Sequence, residues 1–479
     1  MRLPQLMKGI GIPSEIDLDI KGITSDSRRV APGWAFVCIR GGMADGHKFA
    51  AQAKNAGASL IIAEEDTGCA PQIIVPSTRK AWSLMCANWF NNPAKRLHLV
   101  GVTGTNGKTS TTYLIKALLE SCGYKVGLIG TIQNMIGERV LAASHTTPDP
   151  YDLHSMFALM LAEGCTYAVM EVSSHALDQQ RVLGLEFDSA VFTNLTQDHL
   201  DYHITMQSYM ETKKKLFTQS RCAVINIDDE WSKELIKDLS CPVMTYSAYN
   251  DEASYTARNI RPRPDGVDFE LVGTGEIGRV RLPLPGMFSV YNALAAALCA
   301  LSLNMQFEHV ITALPKVKGV KGRAEVVHTG HDFTVVIDYA HTPDGLEKIC
   351  KTMKECSRGR LVTLFGCGGD RDREKRPLMG KIAASLSDFL IVTSDNPRSE
   401  NPQSIIDDIL KGIDKDSVPH IVIANRIEAI HWAIKNAKPK DTILLAGKGH
   451  ETYQILADGC IHLDEREIVA DALTKLNGE

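Results

Sequence analysis

The chain has 479 residues, 44% hydrophobic and 23% charged, with a formal net charge of −5 and a pI near 6.3. That length exceeds what one ordinary core organises and predicts about three domains at ~150 residues each. The composition is that of a soluble globular protein, and the mild acidity argues against a general binder of nucleic acid or anionic membrane.

The twelve cysteines are scattered without a CxxC pair. This fits neither a zinc knuckle nor a redox motif and points to small core residues in a reducing cytosol. MRLPQLMKGIGIPSE, at the start, has no apolar core long enough for a signal peptide. The longest apolar run, ALAAALCALSL (293–303), falls well short of the ~20 residues that span a bilayer. A cytoplasmic protein with no membrane insertion and no nucleic-acid partner is expected.

In chain order, residues 1–97 alternate short apolar runs (WAFVCI, ASLIIAEE, PQIIVPS) with helical stretches and end at the linker-like FNNPAKR. From 98 to 327 a strand–loop–helix rhythm runs through HLVGVTG, VGLIG, TYAVMEVSS, SAVFTNL and CAVINIDD. A third unit, 328–479, repeats it through FTVVIDYAH, RLVTLFG, DFLIVTSD, PHIVIAN and TILLAGKG. Such runs predict an α/β protein of three domains whose buried sheets are mainly parallel.

GVTGTNGKTSTT (101–112) is the strongest local signal. A strand runs into a Gly-rich loop, then Lys108, Thr109 and an apolar-periodic helix. Glycines let backbone N–H groups of Gly104, Thr105, Asn106, Gly107 and Ser110 close on phosphate oxygens, and the helix N-terminus adds partial positive charge. Lys108 would reach the β- and γ-phosphates and the Thr109 hydroxyl would ligate Mg²⁺. Val102 stands where the strict GxxxxGK[ST] pattern has its first glycine, so the loop is a variant. Such a metal also needs a carboxylate. Glu171, at the C-terminal edge of TYAVM, is either that ligand or a cap for the helix in EVSSH. His199, in NLTQDHLDYH, is either a metal ligand or a helix-start residue. DYAHTP reads as a strand end running into a turn at Pro343, and DNPR (395–398) as a turn or a site for a group of mixed charge. Three lysines in SYMETKKKLF read as a solvated helix face.

TGTNGKT, MEVSSH, NLTQDHLDYH, LPGMFSVYNALAA, GRAE and DYAHTPDGL follow one another over about 240 residues. That ordered set resembles the Mur ligase family, ATP-dependent amide-bond ligases of peptidoglycan precursor synthesis. GITSDSRRVAPGWAFVCIRGG (22–42), HTTPDP (145–150) and GCGGDRDREKRP (366–377) are similar to the member that adds the third residue of the peptide. The resemblance implies an N-terminal uridine-nucleotide-binding domain, a central ATP-binding domain and a C-terminal Rossmann-like amino-acid-binding domain. It implies two Mg²⁺ ions, one bound by Thr109 and Glu171 and a second with His199 in its shell, and a carbamylated Lys213 as an anionic ligand. Asn292, Arg323, Asp338, Tyr339 and His341 match positions for adenine and ribose. Ser25 matches the uridine-diphosphate contact, and Thr146, Thr147, Ser173, Gln179 and Arg181 match the contacts to the UDP-N-acetylmuramoyl-dipeptide.

For the incoming amino acid, the resemblance points to meso-2,6-diaminopimelate. Asp395, Asn396, Pro397 and Arg398 match the family's diaminopimelate pattern, with Arg398 as bidentate carboxylate partner. Arg371, Gly447 and Glu451 complete the set, Glu451 accepting from an ammonium. The expected enzyme is a monomer. Its alternatives are the lysine-adding form of the same step, another Mur or folylpolyglutamate-type ligase, and a regulatory protein that keeps only the nucleotide loop.

Overall fold

The computed structural model describes residues 1–10, 18–42, 44–143, 145–414 and 417–478, so part of the N-terminal stretch read above for a signal peptide lies outside the described residues. The chain divides into two compact units, Met1–Tyr246 with Ala295–Met305, and Ser247–Leu294 with Gln306–Glu479.

The first unit opens with a four-stranded parallel sheet of Gly22–Thr24, Trp34–Val37, Leu60–Ala63 and Gln72–Ile74. Helix Thr78–Trp89 packs its Ala81, Trp82, Met85 and Cys86 on that sheet's core. The same unit holds a larger sheet in the order Val243–Ser247, Ala223–Asn226, Ser189–Phe192, His98–Thr103, Tyr167–Glu171 and Val126–Ile129, all parallel. Antiparallel Asn134–Ile136 and Arg139–Leu141 extend its edge. Strand Tyr167–Glu171 is buried along its whole length, because parallel strands are covered on both faces. This is why the sequence shows unbroken apolar runs here.

The second unit has an antiparallel meander, Tyr255–Arg263, Gly266–Gly273 and Glu276–Leu282. It also has a six-stranded sheet in the order Glu325–Val327, Thr334–Asp338, Thr442–Ala446, Leu361–Phe365, Phe389–Val392 and His420–Val422. All neighbours in that sheet are parallel except the first pair. Hairpin Tyr453–Leu456/Gly459–His462 follows the last parallel strand in sequence.

The turn expected at Pro343 is instead a helix start. Thr342 accepts from the Gly345 N–H at 3.2 Å, and Pro343 opens helix Pro343–Cys356, where its missing N–H costs nothing. The described cysteines are all free thiols, and no helix among the described residues is long and apolar enough to cross a membrane.

Candidate active site

Strand His98–Thr103 ends in the Gly-rich loop, and helix Lys108–Ser121 follows it directly. Gly104 has φ +145°, and a Cβ there would collide with the Thr193 hydroxyl, so only glycine fits. The loop is braced by the end of the neighbouring strand. Thr193 Oγ1 donates to the Asn106 carbonyl at 2.6 Å, and the Asn106 N–H donates to Asn194 Oδ1 at 2.9 Å. Thr105 Oγ1 donates to the Thr196 carbonyl at 3.2 Å. Sequence reasoning did not single out Thr193, Asn194 and Thr196; the TNLT that follows the strand SAVF was their only signal.

Lys108 Nζ donates to the carbonyls of Gly104 and Thr105, each at 2.9 Å. Lys213 Nζ donates to the same Gly104 oxygen at 2.9 Å. Of the three lysines read as a solvated face, Lys213 departs from that expectation: it is 1% exposed on helix Met206–Lys214, its ammonium 4.4 Å from the Tyr209 ring centroid. Lys215 keeps the surface role. Burial, and then the charge of Lys108, hold the Lys213 pKa well below its ordinary value, against the pull of Asp198.

Glu171 is 1% exposed. Its carboxylate accepts from the Thr131 N–H and the Thr131 hydroxyl, each at 2.9 Å. It does not cap the following helix: Ser173 does, accepting from the Ala176 N–H. His199 sits in the left-handed region at φ +52° and begins helix Leu200–His203 without a side-chain cap. Its ring lies edge-on to His175 at 4.9 Å and to Tyr209 at 6.2 Å.

The predicted peptide residues form one network beside Glu171. Thr146 Oγ1 lies 3.0 Å from Thr131 Oγ1, and Thr147 Oγ1 donates to the Glu171 carbonyl at 2.9 Å. The Ser173 N–H donates to Thr147 Oγ1 at 3.0 Å. Arg181 donates through Nη1 to the Thr147 carbonyl at 2.7 Å and through Nε and Nη2 to Gln179 Oε1. Gln179 and Arg181 share a cavity of about 290 Å³ with Ser25. Arg28 of SDSR is exposed and paired through two bonds with Asp26.

In the second unit, Tyr339 gathers a ring cluster: His341 at 4.6 Å, His450 at 4.8 Å, and the Arg323 guanidinium 5.3 Å from its ring centroid. Both Asp338 oxygens accept backbone N–H groups, from Ala324 at 2.7 Å and Ala340 at 2.9 Å, and burial pushes its pKa up. Arg323 Nε and His450 Nδ1 are buried with no hydrogen-bond partner among the described residues. His450 was not anticipated. Asn292 is buried on helix Met287–Ser302.

Asp395–Arg398 follow strand Phe389–Val392. The Glu400 N–H donates to the Pro397 carbonyl at 3.0 Å, closing a turn in which Arg398 takes φ +53°. Its Nη1 donates to the Gly369 carbonyl at 2.8 Å, and both Arg398 and Arg371 lie against Gly368. Asn396 and Asp395 are buried, and Gly447 (φ +115°) leaves room for Asp395 Oδ2, which lies 2.7 Å from where a Cβ would stand. Lys448, fully buried and not anticipated, donates to Asn396 Oδ1 and Glu451 Oε2, each at 2.8 Å. Asn396 Nδ2 donates to the same Glu451 oxygen at 3.0 Å. DNPR is therefore both a turn and one wall of a charged polar cluster.

A Gly-rich loop on a central parallel strand, with Lys-Thr opening the next helix and a buried carboxylate ending the adjacent strand, defines a phosphate-loop α/β protein. Three family models match along the chain: "Mur ligase family, catalytic domain" over residues 19–83, "Mur ligase middle domain" over 102–300, and "Mur ligase, glutamate ligase domain" over 322–449. The chain belongs to the Mur ligase family. It is 48% identical to the UDP-N-acetylmuramoyl-L-alanyl-D-glutamate–2,6-diaminopimelate ligase of Caldanaerobacter subterraneus subsp. tengcongensis, over 99% of each chain. A solved structure of a ligase with that same name is 34% identical, covers 98% of this chain and 99% of its own, and superposes with a TM-score of 0.79. The MurF ligase of Thermotoga maritima, solved with ADP, shares the fold at 18% identity and a TM-score of 0.58, covering 95% of this chain and 98% of its own.

Proposed function

We propose that this protein is the ATP-dependent, ADP-forming ligase that joins meso-2,6-diaminopimelate to the D-glutamate carboxylate of UDP-N-acetylmuramoyl-L-alanyl-D-glutamate, in peptidoglycan precursor synthesis. The observation that carries the reading is the 48% identity over 99% of both chains with a ligase of that name. The domains of the proposal are 1–97, 98–327 and 328–479, with strand Glu325–Val327 contributing to the last sheet. A cytoplasmic monomer is part of the same reading.

In this reading the substrate carboxylate attacks the γ-phosphorus of ATP, the bond to the β-phosphate oxygen breaks, and ADP leaves. The diamino acid's amine then attacks the acyl phosphate, loses a proton, and the tetrahedral intermediate expels phosphate. Positioning and charge neutralisation dominate such chemistry. Gly104–Ser110 would cradle the phosphates, and Lys108 would exchange its loop carbonyls for phosphate oxygens. Thr146, Thr147, Ser173, Gln179 and Arg181 would hold the muramoyl-dipeptide and Ser25 the uridine nucleotide. Asn292, Arg323, Asp338, Tyr339 and His341 would serve the nucleoside of ATP. Arg371, Asp395–Arg398, Gly447 and Glu451 would hold the diaminopimelate chain end.

The donor set suits Mg²⁺: a buried carboxylate at Glu171, a Thr109 hydroxyl, the His199 imidazole and an amine at Lys213 whose charged form is disfavoured. A neutral Lys213 amine adds to CO₂, forming an N–C bond and releasing a proton, which converts a poor ligand into an anionic one. Bound Mg²⁺ would neutralise phosphate charge.

Phosphate release with ATP, the muramoyl-dipeptide and diaminopimelate, each omitted in turn, tests the function. Release must require all three. Equal turnover with lysine in place of diaminopimelate would move the protein to the lysine-adding form, and release without an amino acid would refute ligation.

A further inference from the structure

The cavity that joins Ser25 to Arg181 holds a second arginine, Arg79, which neither sequence motif nor family resemblance assigned. Arg79 is the second residue of helix Thr78–Trp89, whose first turn is already capped: the Thr78 N–H donates to Glu64 Oε1 at 2.8 Å and the Lys80 N–H to Ser77 Oγ at 3.2 Å, so the cavity's positive charge comes from the arginine side chains. Its Nη2 donates to the Arg40 carbonyl at 2.6 Å. Arg181 likewise gives its donors to neutral acceptors, the Thr147 carbonyl and Gln179 Oε1. Neither guanidinium has a carboxylate within ion-pair distance among the described residues.

The acid of the cavity, Asp149, is already engaged. Its Oδ1 accepts from Trp82 Nε1 at 2.9 Å and from the Tyr151 N–H at 3.2 Å, capping helix Pro150–Ala162. Burial holds the Arg181 pKa below its ordinary value, and the neighbouring Arg79 charge pushes it the same way, against Asp149. Two guanidinium groups that line one cavity of about 290 Å³, neither in an ion pair among the described residues and with Asp149 Oδ1 already accepting two hydrogen bonds, are arranged for an anion of more than one charge.

We propose that Arg79 and Arg181 jointly hold the diphosphate of the nucleotide-sugar substrate, with Arg79 as a specificity-determining residue for that group. The inference rests on the reading of this cavity as the uridine-nucleotide site. A guanidinium fork from each side satisfies the oxygens of a diphosphate, whereas a nucleoside without phosphate leaves both forks unpaired.

The test is calorimetric titration of uridine and of UDP into full-length wild type, Arg79→Gln and Arg79→Lys, with thermal melts to confirm folding. Wild type binds UDP more tightly than uridine. Arg79→Gln weakens UDP at least ~10-fold, the scale of a lost charge-assisted hydrogen bond, and leaves uridine unchanged. Arg79→Lys falls between. In turnover, Arg79→Gln raises KM for the muramoyl-dipeptide and not for ATP. UDP affinity unchanged in Arg79→Gln overturns the inference while leaving the site reading intact, as does an equal loss on uridine and UDP. If wild type binds neither ligand, the site reading falls and the inference with it.

Discussion

Lys213 and Lys108 donate to one oxygen: the Gly104 carbonyl accepts from each Nζ at 2.9 Å. Two ammonium groups on one neutral acceptor repel, and Lys213, 1% exposed, carries the desolvation cost as well. Both effects disfavour the charged form of Lys213, which is what the proposed reaction with CO₂ requires. Lys213→Ala is expected to lower kcat by about 10²-fold or more, on the scale of a lost charge-stabilising group. Short carboxylic acids added to that variant should restore part of the activity by placing an oxygen anion in the gap. Lys215→Ala, on the surface, should keep wild-type turnover. Full activity in Lys213→Ala would end this account of the site.

Arg398 is held in a left-handed turn by its neighbours rather than by its own preference, since a non-glycine residue at φ +53° is strained. The Arg398 N–H donates to the Ile455 carbonyl at 3.1 Å and its Nη1 to the Gly369 carbonyl, so its head is placed before any substrate arrives. Arg398→Ala should lower kcat/KM for diaminopimelate by ~10–100-fold, the worth of charge-assisted hydrogen bonds to a carboxylate. Turnover with lysine, which lacks the distal carboxylate, should change far less. An equal fall with both amino acids would assign Arg398 to holding the loop rather than to reading the substrate.

The parallel sheets were legible because each strand is a continuous apolar run buried on both faces, as in Tyr167–Glu171 and Leu361–Phe365. The phosphate loop was legible because its glycines and Lys-Thr are local in sequence. Glu171 stayed ambiguous between ligand and cap, since both uses put an acid at a strand end; the Ser173 cap and the Thr131 donors remove the cap reading. Arg79, Lys448 and His450 went unseen because each has a partner far along the chain, although Lys448 also meets Glu451 three residues on. Lys448 reaches Asn396 from 52 residues away, and no spacing rule encodes that. Lys213 looked like its exposed neighbours, as one helix turns adjacent residues to opposite environments.

Gly104→Ala tests the loop from its backbone. The new methyl meets the Thr193 hydroxyl, in a backbone region that L side chains rarely adopt. Stability should fall by ~1–3 kcal/mol, the range for overpacking, and KM for ATP should rise. Adding Thr193→Ala removes the nearest contact and should recover part of the stability in urea denaturation, the backbone conformation at 104 remaining unfavourable. It should recover ATP affinity less, because Thr193 Oγ1 also braces the Asn106 carbonyl. Recovery of both in equal measure would show that the brace contributes nothing to the loop.

The loop that carries Arg371 is anchored by Glu400. Its carboxylate accepts from Arg376 Nη2 at 2.7 Å, from the Asp370 N–H at 2.6 Å and from Arg373 Nη2 at 2.8 Å. Arg376 is fully buried and also reaches Asp408 at 3.0 Å. The Arg376 hydrogen bond is the main cause that lowers the Glu400 pKa from 4.5 to about 2. A carboxylate whose pKa is depressed in the folded state stabilises that state above its unfolded pKa, so this contribution is complete above pH 4.5. It is lost as pH falls from there towards about 2. Urea denaturation in steps across that window should show wild type losing stability more steeply than Glu400→Gln, which starts lower at neutral pH and lacks this titration. Arg376→Met, which leaves Glu400 and Asp408 without their buried partner, should cost ~3–5 kcal/mol at neutral pH. It should also raise KM for diaminopimelate, because the Asp370–Arg371 loop loses its anchor. Parallel pH curves for wild type and Glu400→Gln would show that Glu400 is not held ionised by Arg376 at all.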